Sequence, residues 1–231
     1  MIVVELWIKI ALWIVPVIFA VTLHEIAHGW AASYFGDNTA KNLGRLKLNP
    51  VRHIDPVGSV LVPGLLLWMS GMVFGWAKPV PVNVAALHNP KRDMGLVALA
   101  GPAANLVMAI FWAFIMKLGL WVGESNELLS SIMLFMGVAG VLINTALMMF
   151  NLLPLPPLDG GRVLAALLPM QQAVWLMKLE RWGFLILVLL LVSGLSAKII
   201  WPMMEVGLAL SLSVAGIPME LFSNVLGHLL S

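Results

Sequence analysis

The sequence predicts an all-α polytopic membrane protein built as one domain. Three observations carry that reading: the 231 residues are 61% hydrophobic with a mean hydropathy of +0.99, only 10% are charged, and long apolar windows recur along the chain. Soluble domains are about 45–50% apolar and roughly 25% charged. The windows run from Leu6 to Ala32, Leu96 to Leu118, Leu128 to Phe150, Phe184 to Ala197 with its flanks, and Ile200 to Leu226. Each suits the roughly 20 residues that a helix needs to cross a bilayer. A sixth apolar stretch, Val57 to Trp76, is interrupted at Pro63-Gly64 and again at Ser70-Gly71. The expected architecture is therefore about five full transmembrane helices plus one re-entrant or interfacial segment.

The intervals between the windows are too short for further domains, so one domain is expected over 1–231, with a core at about 5–170 and C-terminal helices over 174–228. Leu43-Gly44-Arg45-Leu46-Lys47-Leu48-Asn49-Pro50 alternates apolar with polar and ends on a turn signal, which predicts a small β-hairpin element. Lys78-Pro79-Val80-Pro81-Val82-Asn83 is expected to be extended, because each proline disfavours the helical region for the residue before it. The apolar N-terminus has neither a basic leader nor a small-residue cleavage site, and reads as a retained first span.

Composition also excludes chemistries. The chain has no cysteine, so neither disulfides nor thiolate chemistry are available. A net charge of +2, spread in scattered pairs, gives no basic patch for nucleic acid. The lipid bilayer is the partner that the composition implies.

His24-Glu25-Ile26-Ala27-His28 lies well inside the first window. Residues four apart on a helix share a face, so His24 and His28 can offer two imidazoles to one ion. Glu25 stands beside that ion, placed to take a proton from water. This is the H-E-x-x-H arrangement of zinc hydrolases, whose ion brings the pKa of water from 15.7 to about 7. Charged side chains in an apolar span cost on the order of 2.5–3.5 kcal/mol each and mark functional sites by default. Three protein ligands are usual for a catalytic zinc, so a third is needed.

Asp159 is the candidate. It follows Pro154, Pro156 and Pro157, which end the preceding helix, and it precedes Gly160-Gly161. Broken backbone at membrane depth belongs beside protein or a wet cavity, which points to a site. The alternative for Asp159 is a helix N-cap at the membrane surface. His53 and Asp55, in Arg52-His53-Ile54-Asp55-Pro56, offer a second site as one reading, but their interfacial place and the bounding proline favour turn-making and interfacial packing.

Taken in order, His24-Glu25-Ile26-Ala27-His28, Gly101-Pro102-Ala103-Ala104-Asn105, and Asn151 with Pro154, Pro157 and Leu158-Asp159-Gly160-Gly161-Arg162 resemble the site-2 protease family of intramembrane zinc metalloproteases. The resemblance implies a core of three helices carrying these elements in turn, around one catalytic Zn²⁺ near the cytosolic side. Asn151 would hold substrate or the developing oxyanion, the alternative being a helix-ending amide. Gly101 and Asn105 would be scaffold, with Gly101 and Ala104 giving a small face on which the His24 helix packs closely. The chain shows neither the PDZ module nor the cystathionine-synthase-like domain of some relatives.

If His24, His28 and Asp159 meet at one depth, Val57 to Trp76 must enter and leave by one face or lie in it. On that topology ten of the thirteen basic residues are cytosolic, and only Lys9, Lys117 and Lys198 lie near the outer face. The expected activity is regulated intramembrane proteolysis of single-span membrane proteins, in a compact protein of a prokaryotic inner membrane. A substrate helix must unwind to expose its peptide bonds, and Leu43, Arg45 and Lys47 offer a strand edge for the extended chain, the alternative being a packed interfacial hairpin. The rival reading is a metal-binding transporter or inactive scaffold, although a transporter should show repeated halves, and no repeat is visible. Nothing in the sequence specifies an oligomeric state.

Overall fold

The computed structural model describes residues 6–53, 55–61, 64 and 77–230. The described chain is helical. Helix α1 (Leu6–Tyr34) leads to the short α2 (Thr39–Asn42), and α3 (Pro90–Val122) and α4 (Glu127–Asn151) form a long antiparallel hairpin. Then follow α5 (Asp159–Leu167), α6 (Met170–Lys178), α7 (Glu180–Val192), α8 (Leu195–Ala215) and α9 (Met219–Leu230).

Helix α1 shows how the bundle is oriented. Leu12, Pro16, Ala20 and His24 are buried, whereas Ile10, Ile14 and Ile18 are exposed. Both series follow the four-residue spacing, so one face of α1 meets protein and the other presents the apolar surface that lipid requires. The α3–α4 hairpin packs through small residues. A Cβ on Gly137 would lie 2.7 Å from Met116 Cβ, and one on Gly140 would enter the Trp112 ring. Glycine at these positions lets the backbones approach, which is how apolar helices gain contact without a hydrophobic driving force. Leu208, Leu212, Phe222 and Leu229 from α8 and α9 complete the core around Trp112, Met116 and Val138.

Four described helical segments are long and apolar enough to cross a membrane: Ile10–Tyr34, Pro90–Val122, Glu127–Asn151 and Lys198–Ala215. The sequence predicts about five. Phe184 to Ala197 is divided, because α7 has 13 residues and stops before Gly194, whose φ of +70° suits glycine. Ile200 to Leu226 is likewise broken at Gly216, with φ +69°, and Pro218. The re-entrant or interfacial path expected for Val57 to Trp76 lies almost wholly outside the described residues. Its first part is a single π-type turn, Pro56–Leu61, capped by Asp55 Oδ1 accepting from the Val57 and Gly58 amides.

The β-hairpin expected at Leu43 to Asn49 is corrected. This segment runs as turns and bends, and no strand occurs among the described residues. Its alternation reflects contact with the end of α1 instead: Leu46 lies against Gly29, where a Cβ would stand 2.3 Å from the leucine methyl.

Asp37 organises this end of the bundle. Gly36, at φ +108°, closes α1 with its amide on Ser33 O while the Asp37 amide reaches Ala32 O, a Schellman closure. The Asp37 carboxylate then accepts from the Thr39 amide (2.9 Å) and hydroxyl (2.5 Å), starting α2, and from the Asn83 amide (2.6 Å). Burial pushes its pKa up, but the bonds from Thr39 and Asn83 outweigh burial and hold the carboxyl below its ordinary range. The sign follows: stability from Asp37 is fully present above the unfolded carboxyl pKa of about 3.9 and is lost as pH falls through the lower folded value. Asp37→Ala is expected to cost about 1–3 kcal/mol at neutral pH, measured by unfolding in detergent, and to weaken the acid-induced loss of stability.

Candidate metal centre

The H-E-x-x-H motif sits in the last third of α1 and both histidines turn to the bundle interior. His24 Nε2 and His28 Nε2 are 3.0 Å apart, and Asp159 Oδ2 lies 3.3 Å from each. Among the described residues these three make the one cluster able to hold a metal ion. Asp159 is the first residue of α5, and the extended Leu158 occupies the N-cap position.

Three prolines and three glycines deliver that aspartate. Helix α4 ends at Asn151, and the chain then turns through Leu152 to Leu158, with Leu153 and Leu158 buried against Leu187 of α7. The opening turn of α5 folds back on this segment. A Cβ on Gly160 would stand 2.3 Å from Leu152 O, one on Gly161 2.3 Å from Pro156 N, and one on Gly183 of α7 2.3 Å from Pro156 O. Those obstacles are backbone and cannot give way, so glycine at these places is what sets Asp159 toward α1.

On the opposite side, Gly101 of α3 faces the imidazoles. A Cβ there would lie 2.4 Å from His28 Nε2 and 2.6 Å from His24 Cε1, so the cradle between the rings is one that any side chain would fill. Asn105, one helical turn on, is fully buried and its Oδ1 faces His24 Nδ1 at 2.6 Å. The His28 Nδ1–H donates to Val97 O at 2.8 Å. Because that carbonyl only accepts, the proton of neutral His28 sits on Nδ1 and its Nε2 presents a lone pair.

These features test whether a metal fits. Asp159 Oδ2 is buried and makes no hydrogen bond, although two imidazole nitrogens lie 3.3 Å away. Three convergent lone pairs repel unless a cation lies among them. Zinc bonds of about 2.0–2.1 Å at tetrahedral angles separate the ligand atoms by roughly 3.3 Å. The donor set, its spacing and the cradle left by Gly101 all suit zinc.

Glu25 has a separate anchor. Val80 stands between two prolines, so it carries the one backbone N–H of that tripeptide, and this N–H donates to Glu25 Oε2 at 2.7 Å. The Arg45 guanidinium holds the same segment through Lys78 O (3.0 Å) and Pro79 O (3.4 Å), and the Lys78 amide bonds His53 O. His53 itself is buried, which lowers its pKa; Arg45 adds to this, while the Lys47 carbonyl and Glu25 oppose it. It is a neutral part of the wall.

The other sequence candidates lie as follows. Asn151 Nδ2 donates to Leu147 O within its own helix (2.9 Å). Leu43 and Lys47 are exposed on the bent segment, and Arg45 is the member that meets the Glu25 region. Two participants belong to no motif read from the sequence. Asn144, buried in α4, accepts from Asn105 Nδ2 at 2.9 Å; its signal is a lone carboxamide in the apolar run from Leu128 to Phe150. Val80 acts through its backbone, and only the flanking prolines hint at it.

With this geometry in view, comparison with known proteins is consistent. The description "Peptidase family M50" matches residues 119–193, a stretch that includes Asp159. The Bacillus subtilis protein named "Putative zinc metalloprotease YwhC" is 38% identical over 196 residues, covering 84% of this chain and 86% of the relative. "Putative zinc metalloprotease Rip2" of Mycolicibacterium smegmatis is 34% identical over 176 residues, covering 76% of this chain and 64% of the relative. No solved structure matches. The chain belongs to peptidase family M50, the site-2 protease family of zinc metalloproteases.

Proposed function

We propose that this protein is an intramembrane zinc metalloprotease that cleaves peptide bonds in or near the transmembrane segments of single-span membrane proteins. The observation that carries the reading is the convergence of His24 Nε2, His28 Nε2 and Asp159 Oδ2 within 3.3 Å, at a place where α1 is otherwise apolar. One catalytic Zn²⁺ would be held by these three residues. When bound, zinc polarises the scissile carbonyl and lowers the pKa of a coordinated water.

The chain's own residues supply the rest. Glu25, adjacent to His24 and fixed through Oε2 by the Val80 amide, takes a proton from the attacking water and passes it to the leaving amine. Asn151 near the end of α4 is the candidate for holding substrate or oxyanion, which requires its side chain to leave Leu147 O. The substrate chain must be extended at the cut, since helical peptide groups are shielded by their own hydrogen bonds, and the exposed Leu43 and Lys47 are candidates to meet it. Charge asymmetry supports a cytosolic-side site in a prokaryotic inner membrane, because the basic loops cluster at the end of α1 that carries the motif.

Glu25→Gln should bind one zinc per chain, as native protein does, while cleaving a single-span substrate on the order of 10²–10⁴-fold more slowly. Metal content and cleavage measured on the same preparation check this; native-like cleavage by the variant would remove Glu25 as the base. Gly101→Ala should weaken zinc affinity on the order of 10–100-fold, because its methyl displaces the imidazoles. Competition with a chromophoric chelator measures that loss, and unchanged affinity would mean that the cradle is not the metal site.

A further inference from the structure

A chain of carboxamides runs from His24 to a backbone carbonyl on a third helix. His24 Nδ1 meets Asn105 Oδ1 at 2.6 Å, Asn105 Nδ2 meets Asn144 Oδ1 at 2.9 Å, and Asn144 Nδ2 meets Gly140 O at 2.8 Å. Asn105 and Asn144 both have zero exposure, so water does not compete for these groups. Each link has a direction. A backbone carbonyl can only accept, so the Asn144 atom facing Gly140 O is the amide nitrogen and the atom facing Asn105 is the oxygen. That oxygen accepts a hydrogen bond from Asn105 Nδ2, whose other hydrogen points at Ala20 O of α1 (3.3 Å). Asn105 must then turn its own oxygen to His24, and an oxygen at that place accepts only Nδ1–H.

We infer that Asn144 is a positioning residue that sets the tautomer of His24 through Asn105, keeping the His24 Nε2 lone pair directed at the metal cradle. This rests on the metal reading of the preceding subsection and deepens it. His28 reaches the same tautomer by another route, because its Nδ1–H donates to the backbone carbonyl of Val97. The two ligands therefore differ in their support: His28 is set directly by main chain, whereas His24 is set through the Asn105 side chain, which Asn144 Oδ1 holds at 2.9 Å and Ala20 O at the longer distance of 3.3 Å. Partners that fix a ligating imidazole are generally worth 10–100-fold in metal affinity.

The test compares native protein with Asn144→Leu and Asn144→Ala in detergent, reading zinc affinity by chelator competition and the ring tautomers by ¹⁵N NMR of histidine-labelled, zinc-free protein at a pH where both imidazoles are neutral. The expected result is a 10–100-fold weaker zinc affinity, with His24 populating the Nε2–H tautomer and His28 retaining Nδ1–H. His24 remaining Nδ1–H in both variants, with native affinity, would overturn the inference. Loss of the Nδ1–H assignment at both histidines would overturn it too, since that marks a general packing defect rather than a directed relay. Failure of native protein to bind zinc would sink the metal reading instead, and the tautomer measurement would still decide the relay.

Discussion

Two imidazole nitrogens and one carboxylate oxygen brought within 3.3 Å of each other, inside an apolar helix bundle, set a demand that the neighbouring helices are arranged to meet. Left alone, such an arrangement is costly twice over: the groups are withdrawn from water and their lone pairs face one another. A bound cation removes the repulsion, and the surrounding helices remove the desolvation cost by satisfying every other polar atom of the two rings. Val97 O serves His28, and Asn105 serves His24. The α3 helix is thus both the floor of the cradle, through Gly101, and the source of both second partners.

The proline-rich segment meets the same constraint from the other end. Asp159 has to arrive at the His24 face from a helix that ends at Asn151, and the intervening residues cannot be helical because the prolines forbid it. Leu153 and Leu158 of this segment are buried against Leu187, and Gly183 of α7 lies close against Pro156, so the irregular chain packs on protein through these residues while Pro154 and Pro157 stay exposed. Gly160 and Gly161 then allow α5 to start in contact with that chain. The local chemistry of Leu158-Asp159-Gly160-Gly161 is a packing solution that places one carboxylate.

Outside the apolar bundle the same economy of parts holds. Asp37 ties the end of α1 to α2 and to Asn83, Arg45 ties the following loop to Lys78 and Pro79, and the segment so held offers the Val80 amide to Glu25. The role of base proposed for Glu25 requires a carboxylate whose orientation is fixed. Here one oxygen is fixed by main chain braced between two prolines, which leaves little freedom for that donor to move.

Much of the protein was written in its sequence. Hydropathy marks the helices that are long and apolar enough to span, because burial in lipid demands long uninterrupted apolar runs, and the histidine spacing with the proline-broken aspartate marks three ligand candidates, because helical periodicity and broken backbone are local properties. What local pattern could not decide was division and contact. Phe184 to Ala197 and Ile200 to Leu226 read as spans, yet Gly194 and Gly216 in left-handed conformation redistribute them into α7, α8 and α9; the alternation at Leu43 to Asn49 reads as a hairpin, yet the half-buried Leu46 packs against Gly29 and is not paired in a sheet. Asn105 was visible only as scaffold, and Asn144 and Val80 carried no motif. Their roles depend on hydrogen-bond direction between helices far apart in the chain, a property that exists only once α1, α3 and α4 have packed. Local pattern is enough to name the groups available for the proposed chemistry; how they are aimed comes from packing, because a lone pair takes its direction from neighbours that only the fold supplies.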